Sequence, residues 1–180
     1  MAKSNTIYQL KITLADIRPP IWRRVQVKDC SLSHLHEIIQ AAMGWMNSHL
    51  SLFEIGDEEY GDDPEGEMGL SSPRTARLGD FVAEGVKKFR YVYDFGDNWL
   101  HFVQVEKVLN AEPKVKYPRC IDGRRACPPE DCGGPYGYDD LVESAEKPGE
   151  NPELLEWVGE EFNPEEFNPQ AVNEDLATVR

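Results

Sequence analysis

No apolar run in these 180 residues approaches the ~20 that a membrane-crossing helix requires. The opening stretch MAKSNTIYQL lacks the apolar core of a signal peptide and passes straight into a strand pattern. A cytoplasmic location follows as the expectation. Cysteine is scarce, at four residues, and in that compartment the thiols should stay reduced. Basic residues are scarce in one part of the chain: residues 130–180 hold 15 Asp and Glu against 2 Lys and Arg, while residues 1–129 hold 18 against 17. A net charge of −14 disfavours free-standing contact with nucleic-acid phosphates or an anionic membrane. GxGxxG, P-loop, HExxH and GxSxG are all missing, so dinucleotide, nucleotide, zincin and Ser-hydrolase readings lack their usual marks.

What is present is enough for a core. Apolar residues make up 40% of the chain and aromatics 10%, which argues against disorder and fits one domain over residues 1–180, with an acidic extension from about 139 onward. Ile7–Leu14 and Ile21–Val27 alternate as half-buried strands. Ser31 or Ser33 can cap a helix to about Met43, whose core face would be Leu32, Leu35, Ile39, Ala42 and Met46, with Gly44 as the stop. Leu50–Ile55 reads as a third strand, residues 56–76 as a long polar loop, and Leu78–Ala83 as a short helix. Phe89–Phe95 and Trp99–Val108 read as a hairpin turned by Asp94 to Asn98. Helical patterns close the chain at Tyr138–Ala145 and Pro152–Val158. The echo Phe162-Asn163-Pro164 and Phe167-Asn168-Pro169 suggests a strap that docks two Phe rings. The sum is an α+β, roll-like fold: a mostly antiparallel sheet of about five strands, one principal helix packed on it, and C-terminal helical segments.

The densest run is YPRCIDGRRACPPEDCGGPYGY, residues 117–138, with three of the four cysteines. Its Pro and Gly content reads as an ordered loop rather than a helix or strand. Four chemistries are open to the residues in and around this run. Cys120, Cys127 and Cys132, with His101 or His49 as a fourth ligand, offer thiolate and imidazole to a structural zinc, although only the second Cys gap nears the usual knuckle spacing. Packed, reduced thiols are the plainer alternative. Asp94, Asp97 and His101 could orient a general base or ligate a metal, or simply build the turn. Cys132 with His101 or His49 could be a thiol nucleophile, but adjacent Glu130 and Asp131 oppose a thiolate. Arg18, Arg23, Arg24, Arg119, Arg124 and Arg125 form either an internal ion-pair set, with Arg124 and Arg125 facing Glu130 and Asp131, or a basic patch with Trp22, Trp45 and Trp99 as stacking surfaces. His34 and His36, two apart on the helix, cannot make a helical metal pair.

The stretches RPPIWRRVQV (18–27), LHEIIQAAMGW with His49-Leu50 (35–50), YDFGDNWLH (93–101), the 117–138 run and LLEWVGEEFNPEEFN (154–168) together resemble the plasmid pRiA4b ORF-3-like proteins, found on plasmids and beside transposable elements. The resemblance implies an α+β roll-like fold and little about activity; a resolvase-like label carried by some members finds no Ser-recombinase chemistry in this chain. Members often carry His where this chain has Ser51.

The resulting expectation is a non-enzymatic binding module, with a protein as the candidate partner. Its surface would be formed by Trp99, Arg124, Arg125, Glu130 and Asp131, and zinc could sit at Cys120, Cys127, Cys132 and His101. The alternatives are a small metal- or thiol-dependent hydrolase using Asp97, His101 and Cys132, and a nucleic-acid accessory protein.

Overall fold

The computed structural model describes residues 5–147, 149, 151–159 and 162–179. Its frame is a seven-stranded sheet built from β1 (Thr6–Leu14), β2 (Trp22–Lys28), β3 (Ser51–Ile55), β4 (Glu58–Gly61), β5 (Lys88–Tyr93), β6 (Trp99–Asn110) and β7 (Arg119–Arg124). The strands lie in the order β4-β3-β5-β6-β1-β2-β7, and every neighbouring pair is antiparallel. The described residues also form five helices: α1 (Leu32–Met43), α2 (Leu78–Ala83), α3 (Gly134–Glu146), α4 (Pro152–Val158) and α5 (Pro169–Leu176). The α+β class expected from the sequence is present, but with seven strands and five helices. Among the described residues no helix is long and apolar enough to cross a membrane.

Helix α1 forms where its caps and apolar spacing agree. Ser31 Oγ accepts from the His34 amide at 3.2 Å, and Gly44, at φ 108°, ends the helix in the left-handed region. Leu32, Leu35, Ile39 and Ala42 are fully buried against the sheet, joined in the core by Leu10, Ile12, Val25, Val27, Tyr91 and Val103. Met46 was expected on that face. It lies beyond the helix end, so the 3.6-residue period no longer places it, and it is 75% exposed.

Two strands, β4 and β7, and one helix, α5, have no counterpart in the sequence reading. β4 lies inside the expected 56–76 loop, and β7 lies inside the Cys/Pro/Gly run. Strand β7 is readable in the structure because its outer edge is covered. Asn173 of α5 accepts from the Cys120 amide and donates to the Cys120 carbonyl, both at 2.8 Å, so one side-chain amide takes the place of a neighbouring strand. The strap that carries α5 does dock its rings: Phe167 lies under the Arg23 guanidinium at 4.8 Å, and Phe162 meets Tyr138 edge-on at 6.4 Å.

Candidate functional site

Three segments distant in sequence meet at one end of the sheet. The first is the α1–β3 connection, where Gly44 turns the chain and Asn47 adopts φ 53°. The second is the β5–β6 turn. Asp94, at φ 58°, folds this turn by accepting the Gly96 amide on Oδ1 at 2.9 Å, and its carbonyl accepts the Asn98 amide at 2.6 Å. The third is the loop from Arg125 to Gly133, docked by the Gly133 amide donating to Asp97 Oδ2 at 3.1 Å. Gly134 is required at this junction: a Cβ there would lie 2.6 Å from the Asp97 carbonyl oxygen, at a φ of +70°.

The side chains that converge are His49, Asp94, Glu130 and Asp131. His49 Nε2 lies 2.9 Å from Asp131 Oδ1, 3.6 Å from Asp94 Oδ2 and 3.9 Å from Glu130 Oε2. The 2.9 Å approach is a contact without hydrogen-bond alignment, and Nε2 is solvent-inaccessible with no hydrogen-bond partner among the described residues. Glu130 is held from its other oxygen: Oε1 accepts from the Met46 amide at 2.7 Å and from the Tyr93 hydroxyl at 2.9 Å. Its Oε2 is buried and has no such partner among the described residues. Burial, reinforced by Glu130, pushes the Tyr93 phenol well above its ordinary value, so it stays a donor.

His101 belongs to a different environment. It is fully buried, its Nδ1 donates to the Tyr91 carbonyl at 3.2 Å, and its Nε2 accepts from the Trp45 indole at 3.2 Å. Those two bonds fix the Nδ1–H tautomer and leave neither nitrogen for a ligand or a proton transfer. Burial pushes its pKa down to about 4.

The expected thiol set is not brought together. Among the described residues the group of three or more ligand-type side chains with converging atoms is His49, Asp94 and Asp131, and it contains no cysteine. Cys120 is buried on β7 and donates to the Asp122 carbonyl at 3.3 Å. The Cys132 thiol is pushed up to about 12 by burial and then by Asp97, and Cys127 is raised by burial. Asp97 spends one oxygen on the Gly133 amide. Asp97, His101 and Cys132 therefore do not compose an open catalytic site.

The expected recognition surface is also redistributed. Trp99 is fully buried and cannot be a surface residue. Arg125, 2% exposed, pairs with Glu165 at 2.8 Å and donates to the Pro19 carbonyl, so it does not face Glu130. Arg23, 3% exposed, donates to the carbonyls of Ala42, Trp22 and Arg124. Arg124 is exposed on β7, and Asp131 is exposed beside His49. Of the expected surface set, Glu130 and Asp131 reach the three-segment junction. Each cluster member carries a local sequence signal, namely Asp in a turn, His after a helix stop and Glu-Asp in a Pro/Gly loop. Nothing local says that they meet.

A family model for the plasmid pRiA4b ORF-3-like protein matches residues 6–171. The chain belongs to the plasmid pRiA4b ORF-3-like family. Within that family it is 39% identical over 159 residues to the uncharacterized protein y4hQ of Sinorhizobium fredii, an alignment covering 86% of this chain and 81% of the relative. Its fold is that of the crystal structure of MM3350 from Methanosarcina mazei Go1, described as a protein of unknown function. The TM-score is 0.85 at 37% identity, covering 92% of this chain and 96% of the other. The family assignment thus carries the α+β fold across nearly the whole chain and leaves the activity to be argued from the site.

Proposed function

We propose that this protein is a cytoplasmic, non-enzymatic binding module for a protein partner, and that its recognition surface is the three-segment junction around His49. The observation that supports this reading is the distribution of exposed apolar side chains. Met46 (75% exposed), Leu50 (51%), Phe95 (42%) and Tyr136 (87%) each lie within a few residues of a cluster member or of the Gly133–Asp97 contact. The other exposed large apolar residues, Met68, Val108, Ile121 and Trp157, are dispersed through other elements. Exposed aromatic and Met side chains next in sequence to a polar cluster have the composition of a protein-recognition patch. The partner that fits presents apolar side chains to this rim. Nucleic acid fits poorly, because the junction concentrates carboxylates in a chain of net charge −14. Catalysis has less support, since His101 is locked in the core and the Cys132 thiol is suppressed.

The test is selection of a random-peptide display library on the purified protein, with counter-screening on the double variant Phe95→Ser, Tyr136→Ser. The reading predicts apolar-rich peptides whose affinity falls at least about tenfold on the variant, as expected when interface anchors are lost, while its thermal melt is unchanged. Peptides that bind both proteins equally, or no enrichment at all, would remove it.

A further inference from the structure

Among the described residues, His49, Asp94 and Asp131 bring their ligand-type atoms within 4.8 Å of one another. His49 Nε2 has three carboxylate oxygens within 3.9 Å and aligns a hydrogen bond with none of them. Two buried polar atoms, His49 Nε2 and Glu130 Oε2, point into the same space without a hydrogen-bond partner among the described residues. A native structure seldom leaves such atoms unmatched without a reason. The Asp94 and Asp131 ligand oxygens lie within 4.8 Å of each other, close enough to repel unless a positive charge lies between them.

We propose that His49, Asp94 and Asp131 hold a divalent first-row transition ion, with Glu130 Oε2 as a further ligand. The inference stands on side-chain geometry and goes beyond the binding-module reading. The separations agree with it. Ligands bonded at roughly 2.0–2.2 Å to one ion lie about 2.8–3.6 Å apart at tetrahedral or cis-octahedral angles. The 2.9 and 3.6 Å separations from Nε2 match that range, and the ligand atoms of His49, Asp94 and Asp131 all lie within 4.8 Å of one another. The donor set narrows the ion. One imidazole with two or three carboxylates suits Mn²⁺, Fe²⁺ or Zn²⁺, whereas Ca²⁺ and Mg²⁺ prefer all-oxygen shells.

The backbone supports the ligands from behind. Asp94 Oδ1 is occupied by turn amides at Gly96 and Asp97, which leaves Oδ2 for the ion. Glu130 Oε1 is occupied by the Met46 amide and Tyr93, which leaves Oε2. Hydrogen bonding of the far oxygen of a ligating carboxylate is the usual outer-shell arrangement. Asp131 is the most exposed ligand, with a side chain 68% accessible, so the ion faces solvent on that side. It would tie the Cys/Pro/Gly loop to the β5–β6 turn and the α1–β3 connection.

The test is calorimetric titration of Mn²⁺ and Zn²⁺ into untagged protein stripped with chelator, with Mg²⁺ and Ca²⁺ as comparisons. Wild type is measured beside His49→Ala, Asp131→Asn and the remote Glu143→Gln, and the fold of each is checked by circular dichroism. Expected are about one ion per chain, a loss of affinity of at least about tenfold in His49→Ala and Asp131→Asn, and wild-type binding by Glu143→Gln. Binding unaffected by the first two substitutions, binding lost instead in Cys127→Ser or Cys132→Ser, or no stoichiometric binding would each overturn it. None of these results depends on peptide binding at the apolar rim, so the two readings fail separately.

Discussion

His101 shows how much a single side chain depends on what the fold places around it. In the sequence it follows a turn rich in Asp and precedes a cysteine loop, a setting that invites a catalytic or ligand role. In the structure Trp45 packs on it at a ring distance of 6.2 Å, Tyr91 at 5.2 Å, and both nitrogens are bonded inside the core. The neutral ring has a consequence for stability. The unfolded chain protonates this histidine near its ordinary value of 6.5, whereas the folded chain resists until about pH 4. Its contribution is therefore complete above the unfolded value and is lost as pH falls from about 6.5 to about 4. The full difference is on the order of 3 kcal/mol. Urea melts from pH 7 to pH 4 should show this loss in wild type and a flatter profile in His101→Gln. Parallel profiles in the two proteins would contradict the buried neutral assignment.

At the scale of elements, the strands with apolar alternation were legible and the edges were not. β1, β2, β5, β6 and helix α1 announce themselves because their apolar residues repeat at the period of the backbone. β7 reads RCIDGR and buries only Cys120, so no alternation marks it. What makes it a strand is long-range: pairing with β2 on one side and the Asn173 amide on the other. β4 is a four-residue edge with one buried position, Gly61, and is hidden for the same reason. The strand alternation places Gln9 and Gln26 opposite the apolar face, but does not give their linkage. Glu106 accepts from Gln9, Gln9 from Gln26, and Gln26 from Arg119, a chain across four strands. Asn173→Ala should cost about 1–2 kcal/mol, because it leaves both backbone groups of Cys120 without that partner. Urea denaturation with an unchanged midpoint would show that the strap does not protect this edge.

At the scale of the whole molecule, a charge of −14 coexists with one large cluster of buried apolar and aromatic side chains. The proposed site is assembled from positions 49, 94, 130 and 131, brought together only by the completed sheet and its loops. Each of those residues was open to suspicion in the sequence. Their conjunction was not, because metal-ligand spacing rules apply to ligands close in sequence. The cysteines drew attention on just that ground, yet burial raises their thiols and the folded chain does not gather them. The loop's Gly-Gly and its positive-φ Asp131 serve instead to lay two carboxylates against a histidine from another segment.

The central claim is that this junction is organised around a cation. Anomalous diffraction from crystals of the untagged protein grown with Mn²⁺ tests it most directly. The account predicts one strong peak bounded by His49 Nε2 and the Asp94 and Asp131 carboxylates, with Glu130 Oε2 beside it. No peak there, or a peak among Cys120, Cys127 and Cys132, would contradict it.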